Sequence, residues 1–250
     1  PIDAEGNILK GRLHKSVNYP AKGETQELIQ KLSNGLLEIM IASPKILGEN
    51  VKWHTTIKYD RLEDETATET VAYNNGVRIG VVKSAVTEGI GVGKLYKKET
   101  YADGLVTRYE QDAISAVANN IEMRVETAPG VFHTWTSAIT YDDINMEVSR
   151  RTYVDGNKDN LVSTSTRKEI RATTQDIVAE EVKANGQKVE IVIDIITGLT
   201  KNIITPARNT EINYNELGSQ KSSTTYSKNK DGSNGEVVIG AEIIAFDPEK

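Results

Sequence analysis

This chain contains side chains of the types that act in catalysis or bind metals, but their spacing forms no recognised catalytic motif. Its three histidines, His14, His54 and His133, are far apart and form neither an H-x-H nor an HExxH pair. The chain has no cysteine, which excludes thiolate catalysis and cysteine-ligated zinc. A G-x-S-x-G nucleophile elbow is also missing. We therefore predict a protein that is not an enzyme, with no catalytic, cofactor-binding or metal-binding residues.

Acidic residues cluster at two places, at Glu63, Asp64, Glu65 and Glu69 and at the pair Asp142-Asp143. Glycoside hydrolysis needs two carboxyl groups facing each other across a cleft. Neighbouring residues of a strand point to opposite faces, so Asp142 and Asp143 do not meet this need together. The sequence predicts a solvated rim at both places.

Two loop-like segments resemble ligand-binding loops without matching them. Gly89, Gly91 and Gly93 fail the G-x-G-x-x-G spacing, and a strand-like segment follows where a nucleotide site needs a helix. Residues 155–160 place oxygen-bearing side chains as a calcium loop does, but the sixth position is Asn160 and the twelfth is Thr166. A bend is predicted for the glycines and a plain turn for 155–160.

The aromatic residues Trp53, Trp135, Tyr141 and Tyr153 raise the alternative of a stacking platform for sugars. Only Trp135 and Tyr141 share a predicted strand, where they fall on the same face. Because aromatic side chains dominate cores and interfaces, we expect one of these roles rather than a ligand platform.

Composition narrows the class of protein. Hydrophobic residues make up 38% of the 250 residues, and the chain has two Phe and two Trp but ten Tyr. Its net charge is −6 with both signs interspersed, and no dense basic stripe is present to neutralise phosphates. No apolar run approaches the roughly 20 residues that span a bilayer. We expect a soluble protein that binds no nucleic acid and has no membrane span.

From residue 51 onward the hydrophobic pattern alternates with a period of two, which is typical of strands. The clearest alternating segments are 131–141, 144–149, 189–196 and 236–245. Short turn-forming segments occur between the strand-like segments, at Asn74-Asn75-Gly76, Asp103-Gly104, Asn119-Asn120, Pro129-Gly130, Asp155-Gly156, Asn185-Gly186 and Asp231-Gly232. Crossover helices are missing, which favours antiparallel hairpins over parallel units. No internal repeat of fixed length is recognised.

The first 50 residues look different. Residues 1–23 are polar and irregular, which predicts an arm that is loose or docks on a neighbour. In residues 25–42 apolar side chains recur every three or four positions, which predicts one amphipathic helix, capped by Thr25 and ended at Ser43-Pro44. Residues 201–236 are polar and turn-rich, which predicts a long loop or a loosely paired excursion.

The predicted fold is mainly β, with long antiparallel hairpins (an elongated sheet, sandwich or barrel) and one N-terminal amphipathic helix. Residues 1–50 would form an N-terminal arm and helix, and residues 51–250 an antiparallel β domain. Long hairpins leave edges that need pairing, and self-assembly is one solution.

The lack of any catalytic motif disfavours an enzyme whose site is built from scattered acids, and two other functions remain open. The first is a non-enzymatic structural or assembly protein, homo-oligomeric and in contact with other structural proteins. In pattern the chain resembles phage tail, baseplate and spike proteins, which implies a virion component, although no motif assigns residues. The alternative is a ligand-binding β module, such as a surface adhesin or a carbohydrate- or lipid-binding domain, for which the segment 201–236 would be a recognition surface. The lack of cysteine fits a cytosolic, cell-surface or virion location equally well.

Overall fold

The computed structural model describes residues 11–115, 117–154 and 157–242. These residues form one antiparallel sheet of 18 strands. Each strand pairs with the next one along the chain, so the sheet is a continuous meander. The strands are β1 Arg12–Tyr19, β2 Glu24–Lys31, β3 Leu37–Ala42, β4 Val51–Tyr59, β5 Glu65–Asn74, β6 Val77–Gly91, β7 Lys94–Tyr101, β8 Val106–Asp112, β9 Ala118–Ala128, β10 Val131–Tyr141, β11 Glu147–Val154, β12 Leu161–Arg171, β13 Asp176–Lys183, β14 Lys188–Asp194, β15 Thr200–Ile204, β16 Arg208–Tyr214, β17 Gln220–Lys228 and β18 Asn234–Glu242.

The prediction of antiparallel hairpins from residue 51 onward is confirmed. Strand β10 covers the predicted segment 131–141, and β14 covers most of 189–196. Between β13 and β14, Gly186 takes the positive φ of 79° that a tight turn requires. The predicted turn at Asn119-Asn120 is wrong, because both residues lie inside β9.

The predicted amphipathic helix over 25–42 is wrong, because this segment forms strands β2 and β3. Each strand carries apolar residues on both faces, and Leu28 lies opposite Met40 as Ile29 lies opposite Ile39. When two successive strands carry apolar residues on both faces, these residues can recur every three or four positions, which is also the spacing of an amphipathic helix. Gly35, with φ of 76°, turns the chain between them.

Two further segments are more ordered than predicted. The irregular arm predicted for 1–23 contains β1 and a short 3₁₀ turn at Pro20–Lys22, and residues 1–10 lie outside the described part. The loop predicted for 201–236 holds most of β15, all of β16 and β17, and the start of β18. Polar Thr, Ser and Asn side chains form strands here because cross-strand pairs such as Thr210–Thr225 hydrogen-bond at 2.9 Å.

One face of the sheet, here called the inner face, carries Trp53, Thr55, Thr70, Glu99 and Thr107. Their register places them side by side across β4 to β8. Turns from the second half of the chain fold back onto the first half. Gln175 Nε2 donates to the Gly23 carbonyl at 2.9 Å, and Trp53 Nε1 donates to the Glu216 carbonyl at 3.0 Å.

The main hydrophobic cluster lies where the turn between β16 and β17 covers the inner face. Its buried members are Val51, Trp53, Ala72 and Val82, with the partly buried Leu47 and Leu217 packed against them. Further buried apolar residues, among them Ile139, Val178 and Val192, lie outside this cluster. Among the described residues, no helix is long and apolar enough to cross a membrane.

Candidate functional site

Charged and phenolic side chains cluster on the inner face where β6, β7 and β8 meet. The Glu99 carboxylate accepts hydrogen bonds from Lys83 Nζ at 2.9 Å and from the Tyr101 hydroxyl at 2.7 Å. Lys97, only 6% exposed, pairs with Glu65 at 2.6 Å. These positions share a face because the residues alternate along β7.

The electrostatics of this cluster keep Glu99 ionised and the phenols of Tyr101 and Tyr109 protonated at neutral pH. Desolvation raises the pKa of Glu99, but the Lys83 ammonium and the hydrogen bonds to Glu99 outweigh it, so the net pKa is lowered. Desolvation and the Glu99 charge both raise the pKa values of Tyr101 and Tyr109. A carboxylate held ionised between donors stabilises the sheet and is not suited to general acid–base work near pH 7.

A second polar anchor fixes the turn between β14 and β15. Asp194 is fully buried, and its Oδ1 accepts from the backbone N–H groups of Ile196 and Thr197. Lys201 Nζ lies 3.3 Å from Asp194 Oδ2 and 2.6 Å from Asp176 Oδ1. The anchored turn projects over the inner face and divides the space there.

Three clefts surround this turn on the inner face, with volumes of about 230, 460 and 600 Å³. They are contiguous, because the first two share Glu99 and Tyr101 and the last two share Met123 and Arg150. The largest, here called the arginine cleft, is lined by Arg150 and Arg167 together with hydroxyl and aliphatic side chains. Its volume is in the range of small-molecule sites.

The two arginines of this cleft are held differently. Arg150 binds Glu147 through two hydrogen bonds, of 3.0 and 2.7 Å. Arg167 donates from Nη2 to Asp142 at 2.6 Å, while its buried Nη1 has no hydrogen-bond partner among the described residues. Arg150 lies opposite Ser165, two residues from Arg167 along β12, so both side chains share the inner face.

A short repeated motif, missed at the level of sequence, forms three of the turns. It reads Tyr-Asx-x-Leu/Ile and occurs at residues 59–62, 141–144 and 214–217. In each copy the tyrosine hydroxyl donates to the first carbonyl of the preceding strand, at 2.6 to 2.8 Å; these carbonyls belong to Leu37, Ala118 and Thr200.

The residue after each of these tyrosines closes the turn in the same way. The Asx Oδ1 of Asp60, Asp142 and Asn215 accepts from the backbone N–H groups two and four residues later. A positive φ follows three residues after the Asx, at Glu63, Asn145 and Gly218. The four-residue pattern was the signal in the sequence, but its unequal spacing hid it from a search for fixed-length repeats.

The candidate residues named from the sequence do not converge. His14, His54 and His133 lie on β1, β4 and β10, and the described residues hold no group of three His, Asp or Glu that would bind a metal. Gly89 and Gly91 lie inside β6, where the Tyr96 ring packs against them. They make room for a side chain rather than for a phosphate.

Most of the remaining candidates make hydrogen bonds or ion pairs that stabilise the fold. Trp53 is buried under the turn of Glu216, and the Tyr141 hydroxyl is hydrogen-bonded to Ala118. Asp142 pairs with Arg167, whereas Asp143 is exposed in the same turn. Asp155 and Gly156 lie outside the described residues.

The two ends of the meander form the sheet edges. Among the described residues, β1 pairs only with β2, and β18 pairs only with β17. Strand β18 exposes apolar side chains on both of its faces, at Val237, Val238 and Ile239. An exposed edge strand of this kind is a template for pairing with another chain.

Comparison with known proteins gives little further information. No protein-family model matches the chain, and no curated protein matches it. Among solved structures, a porin-like protein from Bacteroides uniformis is similar at 11% identity over 74% of this chain and 87% of that chain, with a TM-score of 0.33. A similarity this weak supports no inference about function, and none of these comparisons supports a phage tail or baseplate component.

Proposed function

We propose that this protein is a non-enzymatic assembly protein whose copies associate head to tail through the sheet edges β1 and β18. The observation that carries the proposal is the apolar, exposed edge strand β18. Main-chain hydrogen bonds to a neighbouring strand would satisfy its free edge and bury its valine and isoleucine side chains.

The number of strands favours an edge-to-edge contact between different ends. With 18 antiparallel strands, β1 and β18 run in opposite directions. A second copy that places its β1 beside β18 therefore continues the antiparallel meander without reversing it. Such a contact is heterologous, so it generates a ring or an open array.

The charges of the two edges are complementary. The charged residues of β1 are Arg12, which pairs with Glu38 within the chain, and Lys15, whereas those of β18 are Glu236 and Glu242. Pairing β18 with β18 would bring acids together, and pairing β1 with β1 would bring cations together. Electrostatics thus selects the head-to-tail arrangement.

Size-exclusion chromatography with light scattering at several protein concentrations tests this proposal. We expect a mass that exceeds the 27.5 kDa of one chain and that grows with concentration. The variant Val238→Lys places a charge on the β18 edge, and we expect it to be monomeric.

A matched control is Val86→Lys. Val86 is an equally apolar residue, 47% exposed like Val238, but it is paired with Ala67 of β5 on one side and with Lys98 of β7 on the other. We expect this variant to associate like the unmodified protein. A monomeric unmodified protein, or a Val238→Lys variant that still associates, would contradict the proposal.

A further inference from the structure

We infer that the arginine cleft binds a neutral sugar. The inference is independent of the assembly proposal, because the cleft lies on the inner face between β9 and β15, away from both edges. It rests on the hydrogen-bonding groups of the cleft, on its charge and on its apolar wall.

The first observation is the unused donor of Arg167. The side chain is 17% exposed, Nη2 is occupied by Asp142, and Nη1 is buried without a partner among the described residues. A buried guanidinium N–H without an acceptor is costly, so an acceptor oxygen in the cleft would stabilise it. Ser163 and Ser165, on the same strand and face, add hydroxyl groups that donate or accept.

The second observation is the balance of charge. Arg150 is neutralised by Glu147, and Arg167 by Asp142. Glu181, which lines the cleft opposite Ser165, forms no ion pair with any described residue. The unpaired charge of the cleft is therefore negative, which disfavours an anionic ligand despite the two arginines.

The third observation is the aliphatic wall beside these polar groups. Ile177 lies opposite Ile193 and Ala179 opposite Ile191 on β13 and β14, and all four line the cleft. This wall offers apolar contact to the C–H face of a ligand, while Arg167 and Glu181 lie diagonally across β12 and β13.

A neutral sugar satisfies all three features. One hydroxyl oxygen accepts from Arg167 Nη1, a second hydroxyl donates to Glu181, and the ring carbons pack on the isoleucines. A carboxylate-bearing sugar would accept from Arg167 but would be repelled by Glu181. The site therefore discriminates by charge as well as by hydrogen bonding.

Isothermal titration calorimetry with the purified full chain tests the inference, using cellotriose, maltotriose and α-1,4-galactotriose as neutral probes and trigalacturonate, the carboxylate counterpart of α-1,4-galactotriose, as the acidic one. We expect at least one neutral trisaccharide to bind with a dissociation constant below about 1 mM. Trigalacturonate should bind at least about tenfold more weakly than galactotriose, because of the Glu181 charge.

Two variants examine the assigned residues. Arg167→Lys keeps a cation beside Asp142 but removes the second terminal nitrogen, Nη1, and should weaken binding of the neutral sugar about tenfold. Glu181→Gln keeps a hydrogen-bonding group but removes the charge, and should bring the affinity for trigalacturonate close to that for galactotriose. Circular dichroism verifies that both variants fold.

Control variants lie nearby but outside the cleft. Arg171→Lys changes an arginine of β12 that pairs with Glu169, and Glu190→Gln changes an exposed glutamate of β14 on the opposite face. Neither should alter binding. The inference is overturned if no neutral probe binds, if trigalacturonate binds more tightly, or if the controls weaken binding as much as the cleft variants do.

Discussion

Three tyrosine hydroxyls tie neighbouring strands together at equivalent points of the sheet. Tyr59, Tyr141 and Tyr214 each donate to a backbone carbonyl of the preceding strand. Desolvation by burial raises the pKa of all three phenols, so they remain donors throughout the physiological range. Their contribution is structural and repeats along the chain.

Replacing these tyrosines by phenylalanine removes one hydrogen bond at a time. We expect Tyr59→Phe, Tyr141→Phe and Tyr214→Phe each to lower the free energy of unfolding by about 1 kcal/mol. The losses should add in the triple variant, because the three residues lie on β4, β10 and β16 and share no partner. Urea denaturation measures the effect, and Tyr96→Phe, at an exposed position, should change stability by less than about 0.5 kcal/mol. Strong non-additivity would contradict independent turns.

The partly buried carboxylate of Glu99 makes stability depend on pH. Its pKa in the folded protein lies below the ordinary 4.5, because Lys83 and the hydrogen bonds to Glu99 outweigh desolvation. On acidification the unfolded chain takes up this proton first, so stability is present above the ordinary pKa and is lost as pH falls through the folded value.

Glu99→Gln should flatten this dependence. We expect urea unfolding between about pH 6 and pH 3 to show a smaller loss of stability in the variant than in the unmodified protein. Glu122→Gln, at an exposed position on β9, should leave the slope unchanged. An identical slope in Glu99→Gln would show that other carboxylates cause the acid sensitivity.

At the scale of elements, turns between strands cover the inner face of the sheet. Apart from two short 3₁₀ turns, the described residues contain no helix to cover the inner face, so the turns after β12, β14 and β16 fold back over it. The closest approach is at Gly23, where an added Cβ atom would overlap the Ala172 carbonyl oxygen. Only glycine fits this position, which also has a φ of 61°.

Gly23→Ala should therefore be strongly destabilising. We expect a loss of more than about 3 kcal/mol in the free energy of unfolding, because the two backbones must separate. Gly35→Ala is the matched control: its φ of 76° is also positive, but no atom lies within 4 Å of the added carbon. Its cost should be only about 1 to 2 kcal/mol, from backbone strain alone. Similar losses in both variants, measured by urea denaturation, would argue against a tight contact at Ala172.

At the scale of the whole molecule, the single meander exposes two different edges. The head-to-tail proposal makes a specific prediction for mixtures, because a chain blocked at β18 still has an intact β1. Val238→Lys chains should bind the β18 edge of unmodified chains and terminate their growth. Sedimentation velocity should show large species replaced by smaller ones as the variant is added.

The same mixture distinguishes the alternative geometry. If β18 pairs with β18 of another copy, the blocked variant has no compatible edge and leaves the unmodified assemblies unchanged.

Raising the sodium chloride concentration from about 0.05 to 0.5 M should also weaken association, because screening reduces the attraction between the basic and acidic edges. Salt-independent association would indicate that apolar contact alone drives it.

The sequence by itself determined the local character of most of the chain. Alternation with a period of two and Asx-Gly turns act through neighbouring residues, and they defined hairpins such as β13–β14 without tertiary information. The composition also excluded thiolate catalysis and cysteine-ligated zinc, because the chain has no cysteine.

The tertiary structure decided the rest. Residues 25–42 carry a pattern compatible with a helix, and pairing of β2 with β1 on one side and β3 on the other made them strands. The polar segment 201–236 became ordered through cross-strand hydroxyl and amide pairs that no local pattern specifies.

The arginine cleft depends entirely on long-range register. Asp142, Arg167 and Glu181 come from different turns and strands, and only their alignment leaves one N–H and one carboxylate unpaired in the same space. Sequence patterns fix which face a side chain occupies within its own strand. They do not fix which residue of another strand lies beside it, because that depends on the bulges and turns of every strand between them.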